Sequence, residues 1–255
     1  MAGQHVYTAS QSYFGGHVLP RWAAAGGEDS LRARLDDPAQ RARFDRDVLA
    51  ILAMRGGADK ILMAGDAPAI RGQTVGALAR AWRLSVPDAV RRIVRDHGSR
   101  VYDINLDIVD SLNIRALARK DWMMTCQDGT IPDSLVGMSH PRAFGGVTRK
   151  LRVLAMDEGV ITVPFAVRAM TSLPAQFYGV MDRGLLKPGF RADVVVLDEA
   201  RVRDRATFAQ PFAYAEGTVH VLVNGRFALR DGKPTGVLAG EPIRRAGSGA
   251  GAPRD

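Results

Sequence analysis

The chain has 255 residues, 46% of them hydrophobic, a single cysteine and a formal charge of +8 at pH 7. That length and apolar content fill a real core in one large or two modest domains, and no apolar run nears the ~18 residues needed to cross a bilayer. The lone Cys126 excludes an intrachain disulfide framework, and Met1 to His5 lack the basic start and apolar core of a signal peptide, so a cytoplasmic protein is expected.

The excess charge does not point to nucleic acid. Arg32, Arg34, Arg41, Arg43 and Arg46 are interleaved with Asp36, Asp37, Asp45 and Asp47, the pattern of a solvated helix face. No zinc-finger spacing, RNA-binding aromatic signature or glycine-rich phosphate loop accompanies them. Neither nucleic acid nor membrane is an expected partner.

In chain order, Gln4 to Ser10 reads as a short extended segment, followed by a glycine-bracketed loop, Leu19 to Trp22, with a buried tryptophan. A helix is expected from Glu28 to Leu35, with acidic residues in its first turn. Asp37-Pro38 opens a second, capped by Asp with Pro at the first helical position, whose Phe44, Val48, Leu49, Leu52 and Ala53 recur at helical spacing. Lys60 to Ala64 is a strand candidate, Thr74 caps a helix through Trp82, and Val86-Pro-Asp88 opens another that ends at His97-Gly98. A strand over Arg100–Ile104, a helix over Asp107–Leu117 and a strand over Trp122–Cys126 follow. The alternation predicts an α/β architecture with parallel strands.

The stretch from Trp122 to Asp133 organises the rest. Its apolar strand stops at Gln127-Asp128-Gly129, leaving a carboxylate at the strand's C-terminal end, where chemistry collects in strand–helix repeats. Asp-Gly after a strand is also an ordinary turn, and both readings stand at this point. Beyond it, Val147–Met156 and Thr162–Tyr178 read as helices, the latter interrupted by Pro174. Val194–Leu197 is a strand, and Val219–Val223 with Arg226–Leu229 form a hairpin on Asn224-Gly225. The tail, 246–255, is rich in Gly, Ala, Ser and Pro and is expected to be disordered.

Four patterns appear in a fixed order: Gln127-Asp-Gly129; His140-Pro-Arg142; Met170-Thr-Ser-Leu-Pro-Ala175; and Gly184-Leu-Leu-Lys-Pro-Gly-Phe-Arg-Ala-Asp193 before a valine strand, with Val223-Asn-Gly225 behind. Together with Tyr7-Thr-Ala-Ser10 and Leu19-Pro-Arg-Trp22, they resemble the carboxy-terminal portion of the amidohydrolase superfamily, most closely its N-acyl-D-amino-acid deacylases (D-aminoacylases), over roughly Val6 to Arg245.

The resemblance implies a partial metal-dependent-hydrolase (β/α) barrel over residues 1–180, a strand-and-hairpin part of a composite β-sandwich over 181–245, and a tail over 246–255. It implies zinc as cofactor and hydrolysis of the linear amide of an N-acyl-D-amino acid by metal-activated water. By match to the family's Ser-Asp-Gly, Asp128 is the acid/base, although Gln127 here replaces the hydroxyl residue. By match to His-Pro-Arg, Arg142 clamps the substrate carboxylate, with His140 and Tyr7 beside the substrate. The family's His-x-His pair is missing: His5, His17, His97, His140 and His220 are the only histidines, and none forms it. No metal ligand is therefore assigned, and activity of this chain alone is not expected. The alternative is a remnant or subunit that needs a separate amino-terminal half, or a homo-oligomer, to complete the barrel and cover its apolar inner face. A third option keeps the superfamily with a cyclic amide or nucleobase as substrate; a carboxylate clamp at Arg142 argues against it.

Overall fold

The computed structural model describes residues 1–129 and 135–243. Residues 130–133 of the organising stretch and the tail over 246–255 lie outside the described residues.

The chain opens with strand β1, Ala2–Gln4, and β2, Ser10–Tyr13, followed by helices α1 (Phe14–Val18), α2 (Arg21–Ala24), α3 (Gly27–Asp36) and α4 (Arg41–Met54). Then come β3 (Ile61–Met63), α5 (Val75–Trp82), α6 (Val86–His97), β4 (Tyr102–Asn105), α7 (Ser111–Ala118) and β5 (Met123–Thr125). Helix α8, Arg142–Arg149, widens into a π-helix over Lys150–Asp157, and α9 (Val163–Met170) and α10 (Ser172–Tyr178) follow. The chain ends in β6 (Val194–Leu197), β7 (Thr218–Val223), β8 (Arg226–Arg230) and β9 (Lys233–Pro234).

Caps work where the residue types predict them. Thr74 accepts from the Ala77 N–H at 3.1 Å, Ser85 from the Asp88 N–H at 3.2 Å, and Asp37 from the Ala39 N–H at 2.9 Å. Two boundaries differ from the sequence reading for a local reason. Asp110, not Asp107, caps α7, accepting from Leu112 N–H at 2.7 Å, while Asp107 sits at φ 55° and pairs with Lys60 at 2.7 Å. The break in the helical stretch falls at Thr171 rather than at Pro174, because Pro174 lies in the first turn of α10, where a missing N–H is harmless. Trp22 is in a short helix, not a loop, and is only half-buried; its indole donates to Asp47 at 2.9 Å under the guanidinium of Arg43.

Among the described residues, the strands fall into three sheets, and one pair is parallel, β1 with β5. In the sheet ordered β2-β4-β3, both neighbours run antiparallel to β4. The expectation of parallel strands in the α/β part holds for β1 with β5 and is corrected for β2, β3 and β4. β4 follows β3 through the mutually packed helices α5 and α6 and comes back beside it in the opposite direction. The third sheet, β6-β7-β8-β9, is antiparallel. Asn224 and Gly225 turn its hairpin at φ 51° and 77°, and Asp231 and Gly232 repeat the device at 50° and 73°.

The main core gathers Phe14 and Val18 of α1, Leu31 of α3, Phe44 and Val48 of α4, Ile61 of β3 and Ile93 of α6. A second packs Val6 and Tyr7 against Ile114, Leu151, Leu154 and Ala166. Ala9, Leu62, Ala64 and Ile104 form a small third core. Among the described residues, no helix is long and apolar enough to cross a membrane.

Candidate functional site

β5 runs beside β1, with Thr125 opposite Gln4, so the end of one strand and the segment leaving the other open on the same edge. Side chains alternate along the first of these. Thr125 faces the helix wall, where its hydroxyl receives Lys150 Nζ at 2.8 Å, and Gln127 does likewise, donating to the Ala143 carbonyl. The Gln127 amide thus ties the strand to α8.

Asp128 leaves the strand at φ 47°, a backbone region Asp tolerates better than most residues. The next residue has to be glycine: a Cβ on Gly129 would lie 2.5 Å from Ala143 Cα. This close approach brings the Asp128 carboxylate to the start of α8. Its Oδ2 lies 2.8 Å from Arg142 Nη2. The arginine side chain is 8% exposed and that of Asp128 66%, so the cation is built into the wall and the anion reaches toward solvent.

His140 holds the arginine from behind. Its Nδ1 accepts from the Arg142 backbone N–H at 3.0 Å, its Nε2 donates to the Ala9 carbonyl at 3.0 Å, and its own N–H donates to Gln11 at 2.8 Å. Those partners select the neutral tautomer protonated on Nε2. Burial pushes the ring down to about 3, with Arg142 and His5 acting in the same direction against the Ala9 bond. Tyr7 meets the His140 ring edge-on at 5.0 Å. Its hydroxyl is buried beside Gly145, where a Cβ would come within 2.6 Å of it, and it finds no partner among the described residues. Burial first, then the neighbouring Asp204 carboxylate, pushes that phenol up.

The structure therefore brings Asp128 and Arg142 into direct contact and sets His140 and Tyr7 behind them. His5 is a site residue that the sequence analysis passed over. It stands 3.4 Å from Arg142 Nη1, and burial, then Arg142, lowers its pKa. It lies two residues before Tyr7, and the two rings stand 6.5 Å apart; that spacing was the available signal.

A catalytic zinc needs three converging protein ligands and an open position. Here both nitrogens of His140 are engaged, His5 faces a guanidinium, and the cationic Arg142 occupies the centre of the cluster. Among the described residues, no three or more His, Cys, Asp or Glu side chains gather to hold a metal. The described residues of this chain do not fit a zinc site.

Residues 77–228 match the model of the amidohydrolase family. An N-acyl-D-glutamate deacylase of Alcaligenes xylosoxydans xylosoxydans is 35% identical over 186 residues, covering 73% of this chain and 36% of that protein. A D-aminoacylase of the same organism is 28% identical over 241 residues, covering 89% of this chain and 48% of its own length. Among solved structures, a D-aminoacylase mutant in complex with CuCl2 superposes with a TM-score of 0.69 at 25% identity, covering 95% of this chain and 42% of that one. The N-acyl-D-glutamate deacylase of Bordetella bronchiseptica, complexed with zinc and a phosphonate mimic of the tetrahedral intermediate, gives 0.63 at 26% identity, covering 92% and 42%. The chain spans between about a third and a half of the length of these relatives.

Proposed function

The chain belongs to the amidohydrolase family, and from that premise we propose that it supplies the acid/base and the carboxylate clamp of an N-acyl-D-amino-acid deacylase. The observation that carries this reading is the 2.8 Å contact between the Asp128 carboxylate and the buried guanidinium of Arg142. An arginine fork fixed by its own backbone and shielded from water is suited to bind a carboxylate through two parallel hydrogen bonds. A carboxylate standing beside it, open to solvent, can take a proton from an attacking water and return it to the leaving amine. The two groups are close enough to serve the amide and the carboxylate of one amino acid. His140 and Tyr7 act as positioning residues that set the angle of Arg142. The relatives named as acting on N-acyl-D-glutamate support this substrate class.

Zinc supplies, in this family, a polarised carbonyl and an activated water. Since the described residues here do not assemble its ligands, the metal-holding part in this reading lies outside them. Two further observations favour a chain that works with a covering partner. The β1–β5 ladder has only two strands among the described residues, and no residue in β6 to β9 is buried. The residue-1–180 and 181–245 division follows from the same reading.

The test is co-expression with a cognate amino-terminal half that carries a His-x-His pair, followed by zinc content and hydrolysis of an N-acyl-D-amino acid. The reconstituted pair is expected to turn over substrate, and Asp128→Asn to lower kcat by about 10²–10⁴-fold. Intact turnover in that variant overturns the role given to Asp128. The alternative, a chain with no catalytic part, predicts an inert but correctly folded complex.

A further inference from the structure

His5 has a hydrogen-bonding conflict that no rotation of a proton resolves. Its Nδ1 faces the backbone N–H of Tyr7 at 3.3 Å, and its Nε2 faces Nη1 of Arg142 at 3.4 Å. Both neighbours only donate. A neutral imidazole has one donor and one acceptor, so in either tautomer one ring N–H points at another donor. If Nδ1 accepts from Tyr7, the proton lies on Nε2, and two N–H groups from different elements converge on the space beside Arg142. Two donors converging without an acceptor between them make an anion site.

Among the described residues, the charged and titratable groups around the ring are few. Arg142 approaches from α8, Asp128 from the end of β5, and the His140 ring lies with its centroid 5.8 Å away, already bonded at both nitrogens. Tyr7, on the same segment as His5, turns its hydroxyl away toward Gly145. The nearby anion is Asp128, which is spent on Nη2. Among the described residues, no oxygen meets Nη1 of Arg142 or Nε2 of His5.

We propose that His5 is the second donor of the carboxylate site, and that an incoming substrate carboxylate displaces Asp128 from Arg142 and lies between the guanidinium and the His5 ring. This rests on the reading of Arg142 as the clamp and adds two things to it. In the ligand-free chain Asp128 holds the place of the substrate's anion, and substrate arrival frees that carboxylate at the moment it is needed. Arg142 keeps one carboxylate partner through the exchange, while the substrate adds its own negative charge beside His5.

The experiment titrates the isotopically labelled full chain with N-acetyl-D-alanine and, as control, with N-acetyl-D-alaninamide, following the His5 ring nitrogens by NMR. The acid is expected to shift them saturably and to raise the midpoint of His5 titration, with no response to the amide. His5→Phe is expected to weaken binding about tenfold, the loss of one good hydrogen bond to a charged group, and His5→Gln to weaken it less. Asp128→Asn is expected to tighten binding, because the competing carboxylate is gone. Unmoved His5 resonances in the wild-type chain overturn the inference even where a variant fails to fold, as does wild-type affinity in His5→Phe. Either result leaves the clamp itself standing if Arg142→Gln abolishes binding. Undiminished binding in Arg142→Gln, by contrast, overturns the clamp.

Discussion

The helical body built on α1 to α6 and the four-stranded sheet β6–β9 solve the same problem differently. In the body, Phe14, Val48, Ile61, Val90 and Ile93 are all fully buried, and charges such as Arg91 reach inward only with Asp45 and Asp88 to meet them. In the sheet, Val195 remains 56% exposed and no strand residue is buried at all, although valine and leucine dominate its sequence. The body carries its own second layer, as amphipathic helices can; a lone sheet has a face that something else must cover. Apolar content therefore says little about self-sufficiency. What matters is whether the chain returns to cover the surface it creates.

The difference can be broken from either side. Phe44→Ala opens a cavity under Arg91, whose guanidinium stacks 4.7 Å above the ring, and is expected to cost about 3–5 kcal/mol in denaturant unfolding. The equivalent truncation in the sheet, Leu222→Ala, is expected to cost less than about 1 kcal/mol in the isolated chain and more once a covering partner is bound. Equal costs in the isolated chain would erase the contrast.

The wall behind the site sharpens it, because there burial is polar. Lys150 is fully buried with Thr125 as its hydrogen-bond partner, and burial lowers its amine from 10.5 to about 8. The fold favours the neutral amine, so this contribution to stability is complete above pH 10.5 and is lost as pH falls through about 8. Lys150→Met is expected to stabilise the chain at pH 7 by about 2–3 kcal/mol and to flatten the rise in stability between pH 8 and 10.5. A variant with the wild-type pH profile would place the amine in water. A cap has a similarly small effect: Thr74→Ala is expected to cost about 1 kcal/mol, read from α5 amide exchange.

The site itself was legible in part. Asp128 stood out because an apolar strand ends in Asp-Gly, and Arg142 because of a family pattern; the structure sets them in contact. His5 was passed over because its meaning lies in what faces it, two donors from residues 2 and 137 positions away. The direction of β3 and β4 was missed for a related reason. Apolar alternation marks a strand but is the same whichever way its neighbour runs.

Local chemistry was thus decided by the chain: which residues cap, which turn, which stretches are apolar at period 2 or 3.6. These depend on neighbours a few positions apart, and such interactions are written in order along the sequence. The pairing of Asp128 with Arg142, the conflict at His5, the amine sealed behind β5 and the uncovered sheet were decided only in three dimensions. Each depends on distance and on what is absent from a space, and neither is encoded by adjacency.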